Sequence, residues 1–521
     1  MTSKDVKYRA DVEANIEVLK NSKGNEENKQ AAAQALWMLC EDKDRDVEMY
    51  KQKYCMERGA GKPLINMLKD GNEESKWRAA RTMVQLAYGN EATATKLADL
   101  HCIKHIAAIL KDIDNATDRV KEAVLQLCTN VASNCWSCHG TIIRNGILKH
   151  VMVLIRSISI PDDVKRAAVN LCYSLTFSTD GRSELLDLDA VVVLVPVIKV
   201  SKPTLNSMGA TLAAANLIGH RERAQMLSGC DVPQKVMMAL DHALNRKPFG
   251  GQYNSLWKVA MGLSQLSKSE TNKDILVENG AVPLLARLLQ LPADRRSTLL
   301  VEHTCTAVWH LAFNGPGKAQ LCGETLLIDA LKDIAVDEGM SEAPQIARGA
   351  LWQLGVIPRP PFFDTFVHIY FCHVPECKER VEELAKHVES NGYVVWNGSS
   401  SGNMDEEFTQ GVCRCAVLCV CLTENLYLSA KARSELLYAF ECNKPILLLQ
   451  VDNEGREECW LEPYVRNKKV LDFADSYQDK LSIPGLLQAF GRQGRKEKVA
   501  PPKQSVPLPE PVADPKAEEG A

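Results

Sequence analysis

Two hydrophobic rhythms divide the chain. Between residues 25 and 356 apolar positions recur at helix spacing, as in ESKWRAARTMVQLA (74–87) and VEHTCTAVWHLA (301–312). Between 364 and 491 short apolar runs alternate with amphipathic stretches. FVHIYF (366–371) reads as a strand, and PECKERVEELAKHVESNG (375–392) as a helix ended by Gly392. YVVWN (393–397) is a second strand, followed by a Gly/Ser loop, 398–405, whose Asp405 starts the helix EEFTQGVCRC. AVLCVCLT (416–423) is the third strand. Residues 425–451 then form a helix, stopped by Pro445, and an almost unbroken apolar strand, as in a parallel sheet covered on both faces. Val470 to Phe473 gives a last strand and 481–491 a closing helix. The pattern predicts an α-helical solenoid followed by a small α/β domain with a doubly wound parallel sheet.

Within the helical part three strings recur: ALWML (35–39), AVWHL (307–311) and ALWQL (350–354), with TMVQL (82–86) and AVLQL (123–127) as weaker forms. A second string, ERGAGKPLINML from Glu57 and ENGAVPLLARLL from Glu278, degrades to RNGILKHVMVLI and LSGCDVPQKVMM elsewhere. The step of roughly 41–50 residues is the period of two- and three-helix repeats. Gly breaks one helix, Pro starts the next, and Ala lets neighbours approach. On these strings the region resembles the armadillo family, in about seven or eight repeats. That resemblance implies a stack of helices with a concave face for an extended peptide or another domain. Asn130 and Asn170 occupy suitable positions for a peptide-binding ladder, but most repeats lack an equivalent. Trp37, Trp309 and Trp352 are expected in the core.

The second region carries the candidate chemistry. Ser429 and Glu435 are expected within about two turns of one helix. The plain reading of a Glu beside Arg433 on a helix is a solvated or salt-bridged surface residue. The GYVVW strand, the VLCVCLTENL segment and this helix together resemble a Toll/interleukin receptor (TIR) domain, which implies a flavodoxin-like fold. Members that cleave NAD carry N-Y-x-x-S-x-W-C-x-x-E-L, and here Asn425, Ser429, Glu435 and Leu436 match in register. Lys431 and Ala432 replace the Trp-Cys pair. Asn397 stands where an Asp is usual, and Cys372-His373 stand near the place of one or two arginines. By resemblance Glu435 takes the catalytic position. Breaking the nicotinamide–ribose bond passes through an oxocarbenium-like state, which one carboxylate near the ribose stabilises. An aromatic platform (Trp396 or Phe408), a basic group (Lys431, Arg433 or His373) and Ser429 would complete the substrate site. NAD is then substrate, with no resident cofactor and no metal. In such sheets ligands lie beyond the strand carboxyl ends, here after Phe371, Asn397 and Thr423.

Composition narrows the remaining classes. A net charge of −4 over 521 residues argues against a broad nucleic-acid face. No signal-peptide core and no span of about 18 apolar residues is present, so a cytoplasmic location is expected. The 18 cysteines lie in apolar periodic stretches and read as reduced core residues. Cys135-Trp136-Ser137-Cys138-His139 is a CxxCH string, and its plain reading is a helix end and loop between repeats.

The expected organisation is an N-terminal segment (1–24), the solenoid (25–356), a stiff Pro-rich linker (357–363), the α/β domain (364–491) and a disordered, Pro-rich tail (492–521). Two functions stay open. In one the solenoid restrains an NAD-hydrolysing domain that works as a homo-oligomer, although no sterile-alpha segment joins the parts as in the similar animal proteins. In the other the protein is a non-enzymatic adaptor, recruiting other TIR domains through the 398–405 loop while the solenoid holds a protein client.

Overall fold

The computed structural model describes residues 3–21, 25–112, 114–200, 203–218, 227, 229–337, 339–340, 342–357, 367–396, 407–452, 460–465, 468–474 and 476–495. The Pro-rich linker beyond residue 357, the 398–405 loop, Asn397, Asp405 and the tail beyond residue 495 lie outside them. The chain divides into two compact units, 1–359 and 360–521.

Among its described residues the first unit is built of helices, with one isolated bridge between Phe249 and Gln252. A pair, α1 (Ser3–Lys20) and α2 (Glu26–Cys40), precedes three-helix repeats. The first three are α3 (Arg45–Glu57), α4 (Gly61–Asp70) and α5 (Glu73–Ala87); α6 (Glu91–Asp99), α7 (Cys102–Lys111) and α8 (Asp118–Asn134); and α9 (His139–Arg144), α10 (Ile147–Arg156) and α11 (Asp162–Leu175). Next come α12 (Thr179–Asp187), α13 (Ala190–Ile198) and α14 (Leu205–Ile218), followed by the described helices of the fifth repeat, α15 (Val232–Leu244) and α16 (Leu256–Leu266). The last two are α17 (Glu270–Glu278), α18 (Ala281–Leu289) and α19 (Thr298–Leu311), and α20 (Gly315–Gly323), α21 (Thr325–Ala335) and α22 (Ala343–Leu354). This is the three-helix repeat that the armadillo resemblance implies. The last helix of each repeat packs on the last helix of the next, so α2, α5, α8, α11, α14, α16, α19 and α22 form one continuous ridge.

Local chemistry explains the repeat strings. Asn72, Asn90, Ser178, Ser297 and Asn314 cap helix N-termini by accepting a backbone N–H. The Gly of the second string sits at positive φ just before the middle helix, as at Gly146 (69°) and Gly280 (82°). His101, Asp189 and Asp231 hold the same left-handed turn where the string has degraded, at φ of 53° to 64°. Trp309 and Trp352 are buried, as expected. Trp37 is not. It is half-buried, edge-on to Trp77 at 6.4 Å and under the Arg81 guanidinium at 4.9 Å, because its Nε1 donates to Glu41 at the surface (2.7 Å) and keeps that edge of the indole out of the core.

The second unit is a parallel sheet of β1 (His368–Cys372), β2 (Cys415–Leu422), β3 (Ile446–Gln450) and β4 (Val470–Asp472), in that spatial order. β1 and β2 are buried along their whole length, as their unbroken apolar runs require. The expected strand at 393–397 is reduced to single bridges, Ile369 with Val395 and Tyr393 with Arg495. Ile369 turns its N–H and C=O to Val394 and Trp396 (2.8 and 2.9 Å), on the edge of β1 away from β2. The chain therefore runs out to one side of β1 and returns to the other. The gap beyond the carboxyl ends of β1 and β2 is the switch point where doubly wound folds bind ligands.

Described helices are α23 (Lys378–Ser390), α24 (Ala430–Glu441), the short α25 (Glu462–Val465) and α26 (Ser476–Phe490). Where a helix is expected from Asp405, the described part is a single π-helical turn, Glu407–Val412.

Candidate active site

The expected single helix across Ser429 and Glu435 begins one residue later than Ser429. Thr423 caps a short 3-10 turn, Glu424–Leu428, and Ser429 is extended backbone that caps α24, accepting from Ala432 N–H at 3.1 Å. Two hydroxyl side chains thus break the run into a turn and a helix. The consequence is directional: α24 starts at the carboxyl ends of the strands and lies across β1 and β2.

Glu435 faces that sheet. It is 2% exposed, so it is not the solvated surface residue of the plain reading. Its Oε1 accepts from the Tyr370 hydroxyl of β1 at 2.9 Å and lies 3.7 Å from the Lys431 ammonium, one turn back and about half exposed. A buried carboxylate costs several kcal/mol unless hydrogen-bonded and paired, and Tyr370 and Lys431 supply both. The Cys372 thiol is in the same pocket of side chains. Burial pushes it well above its usual value, and the nearby Glu435 carboxylate pushes it further. Arg433, the other basic candidate on this helix, is turned away, 4.9 Å over the Trp460 ring, while Trp460 Nε1 donates to Tyr427 O at 2.9 Å.

The remaining candidates fall into two groups. Trp396 is half-buried beside the same wall, 5.1 Å from the His368 ring. Gly411 joins it to Tyr370: a Cβ there would lie 2.7 Å from Tyr370 Cε2 and 3.0 Å from Trp396 Nε1. Trp396, Gly411, Tyr370 and Glu435 therefore form one connected set. His368 closes it, its Nε2 2.7 Å from Gly411 O, and burial holds that imidazole below its usual value, in the neutral form. Phe408 is packed inside, edge-on to Tyr438 at 6.0 Å, with 1% exposed. His373 follows β1 at the ligand-binding edge, half-buried, its Nδ1 2.9 Å from Phe371 O.

Sequence reasoning missed Tyr370 and Gly411. Tyr370 stood in a strand candidate as one apolar letter among several. Its only available signal was a hydroxyl in a strand buried on both faces, which must find a partner.

Elsewhere, the CxxCH string is a helix end, as expected. His139 is buried with both ring nitrogens engaged, by Ser178 Oγ at 2.7 Å and Ala132 O at 2.8 Å. Among the described residues no three His, Cys, Asp or Glu side chains group to hold a metal ion. Nor is any described helix long and apolar enough to cross a membrane.

The family model for the TIR domain matches residues 369–483. These residues are a TIR domain. An engineered protein of known crystal structure aligns over 83% of this chain and 92% of its own, at 14% identity and a TM-score of 0.46. Two designed armadillo repeat proteins, one in complex with the peptide (KR)4, align over 58% of this chain and 99% of theirs, at 16% identity and a TM-score of 0.35. No curated protein matches the chain. A TIR domain joined to an armadillo-like solenoid is the composition of a signalling or scaffold protein.

Proposed function

We propose that the TIR domain hydrolyses NAD to nicotinamide and ADP-ribose under control of the solenoid, with Glu435 as the carboxylate that meets the ribose. The observation that carries this reading is the burial of Glu435, hydrogen-bonded to Tyr370, where α24 crosses the middle of β1. Such a carboxylate is preorganised. Its charge is held in one direction before substrate arrives, which is what stabilisation of a developing oxocarbenium requires. The C1′–nitrogen bond breaks with its electron pair leaving on neutral nicotinamide. Water adds to C1′ and loses a proton, giving ADP-ribose. Tyr370 is a positioning residue, Trp396 offers the aromatic platform, and Lys431 and His373 are the basic side chains offered to the diphosphate.

The adaptor reading rests on the same number. At 2% exposure Glu435 meets substrate only if the wall over it moves. Here the domain would act by binding other TIR domains, with a protein client on the solenoid.

The test is nicotinamide release by the full chain, free in solution and crowded on a bead surface, beside Glu435→Ala. Release by the clustered wild type alone supports hydrolysis by a homo-oligomer. A folded, clustered wild type that leaves NAD intact would establish the adaptor.

A further inference from the structure

At the N-terminal end of the solenoid three helices close around two thiols. Cys40 is the last residue of α2 and Cys55 lies in α3. Both are fully buried, and their Sγ atoms are 3.3 Å apart. Tyr8 of α1 covers them, its hydroxyl 3.7 Å from Cys55 Sγ and 3.1 Å from Lys51 O. The Lys51 ammonium lies 5.5 Å over the Tyr8 ring and pairs with Asp42 at 2.8 Å. The two cysteines are on different helices, 15 residues apart in the chain, so a bond between them would cross-link structure and not merely close a turn.

We propose that Cys40 and Cys55 are a thiol–disulfide site, which a peroxide-class oxidant converts to a bond that fixes α2 to α3. The sulfurs need to close by only about 1 Å to reach disulfide length. The two thiols are chemically unequal. The hydrogen bond from Cys40 favours the Cys55 thiolate, and the same bond, together with burial, holds Cys40 as the thiol. Elsewhere in the solenoid burial pushes Cys102 and Cys305 up to about 12. Cys55, the sulfur that lies directly under Tyr8 of α1 and is reached first when that cover lifts, is the attacking sulfur and Cys40 the resolving one.

The Cys55 thiolate attacks one oxygen of hydrogen peroxide. The O–O bond breaks, and the departing hydroxide takes the proton that Cys55 had released, leaving water and a sulfenic acid. The Cys40 sulfur then attacks the Cys55 sulfur, the S–O bond breaks, and hydroxide leaves with the Cys40 proton as a second water. Two thiols and one peroxide give one disulfide and two waters.

Access is set by α1. It is held to α3 at its rim by Arg9 to Tyr50 (2.6 Å), Tyr54 to Glu13 (2.8 Å) and Arg58 to Glu13 (3.2 Å). Lifting this one helix uncovers Cys55 without opening a three-helix repeat.

The full chain is treated with hydrogen peroxide, sampled over time, unfolded in N-ethylmaleimide and digested with trypsin without reductant. Expected is a joined pair of peptides, 30–43 and 54–58, two hydrogens lighter than the free pair, with the first equivalent of oxidant. It reverts in dithiothreitol, while exposed Cys322 stays alkylated. In Cys40→Ser, Cys55 should stop as a sulfenic acid that a cyclic 1,3-dione captures. The bond should also slow tryptic cleavage after Lys43 in the folded protein by about tenfold, since a loop of this size is strongly restrained. Full alkylation of Cys40 and Cys55 while Cys322 or Cys442 oxidises would overturn the proposal, as would a link to any other cysteine. The wild-type masses decide even if Cys40→Ser does not fold.

Discussion

The two units use buried polar side chains for opposite ends. In the solenoid they tie each repeat to the one before. Thr82 Oγ1 donates to Ala33 O, Asn130 to Val84 O and Asn134 to Ala87 O, over 49, 46 and 47 residues, which is one repeat each time. In the TIR domain the spacing is irregular and the contacts converge. His368 meets Gly411 at the amino end of β1, and Tyr370 meets Glu435 at its middle, over 43 and 65 residues, on one wall of the sheet. Periodic bonds spread stability along a stack. Convergent ones concentrate it where a charge has to be held. Substitutions in the solenoid should then cost stability without slowing turnover, and substitutions in the TIR wall should cost activity beyond their effect on stability.

The largest separation is expected from Glu435→Gln. The amide keeps the shape of the carboxylate and can still accept from Tyr370, so the melting temperature should move little. The charge that faces the ribose is gone, and nicotinamide release should fall by about 10²–10³-fold, the scale of one preorganised electrostatic group. A proportionate fall in stability and activity would return Glu435 to a structural role.

Acid should distinguish the units next. His303 in α19 is pushed down to about 4 by burial, with the Lys268 and Arg182 cations adding to the effect. An imidazole with a depressed folded value stabilises the fold fully above its unfolded value near 6.5. That contribution is lost as pH falls through the folded value. By pH 5 the solenoid should have lost about 2 kcal/mol from this residue alone. Hydrogen exchange at residues 298–311 should read the loss, and His303→Gln should flatten it. His368 carries the same sign in the TIR domain, with Arg414 and Lys444 facing it. Equal acid sensitivity of wild type and His303→Gln at 298–311 would show that the burial does not matter.

How much of this could be read beforehand follows the same division. The solenoid's strings repeat because its packing repeats, so helix, break and small residue could be read from one copy and checked against the next. Degraded copies remained legible because Gly146 keeps, and Asp231 tolerates, the turn that Gly280 adopts freely. In the TIR domain the strand order and the position of Glu435 were visible in local pattern and in the resemblance. Its burial was not. A Glu two residues from an Arg reads as a surface pair. In the fold Arg433 goes to Trp460, Lys431 turns toward the carboxylate, and the decisive partner, Tyr370, is 65 residues away. Nothing in a local window reports such a contact, and Ser429 at the helix cap shows the same limit at the scale of one turn.

One type of substitution placed in both units sharpens the contrast. Gly349 in α22 faces Trp309: a Cβ would lie 2.4 Å from Cη2 and Cζ2 of a buried indole. At Gly411 it would meet Tyr370 and Trp396. Each change to Ala overpacks a filled space, at a cost of about 1–3 kcal/mol, less up to about 1 kcal/mol returned by helix propensity at Gly349. Denaturation midpoints should fall in both variants. At a temperature where both are folded, only Gly411→Ala should slow NAD turnover, because it displaces the ring that holds Glu435. Equal turnover in the two would remove Tyr370 from its positioning role.

The smallest effect tests the other half of the comparison. Thr82→Val replaces a hydroxyl that donates to Ala33 O of α2, or to Arg78 O of its own helix, by a methyl of nearly the same volume. Both carbonyls belong to helices and keep their helical N–H partners, so no buried group is left wholly unpaired. The loss should be about 1 kcal/mol, read in the denaturation midpoint, with NAD turnover unchanged. Tyr370→Phe makes the same formal deletion, one hydroxyl, but strips a donor from a buried carboxylate, where a bond is worth about 1.5–3 kcal/mol. It should cost more stability than Thr82→Val and lower turnover as well. If the two deletions prove equal in both measurements, the convergence of polar groups on Glu435 is ordinary packing. The TIR domain would then be stabilised in the same way as the solenoid, with no part of its wall set aside for a reaction.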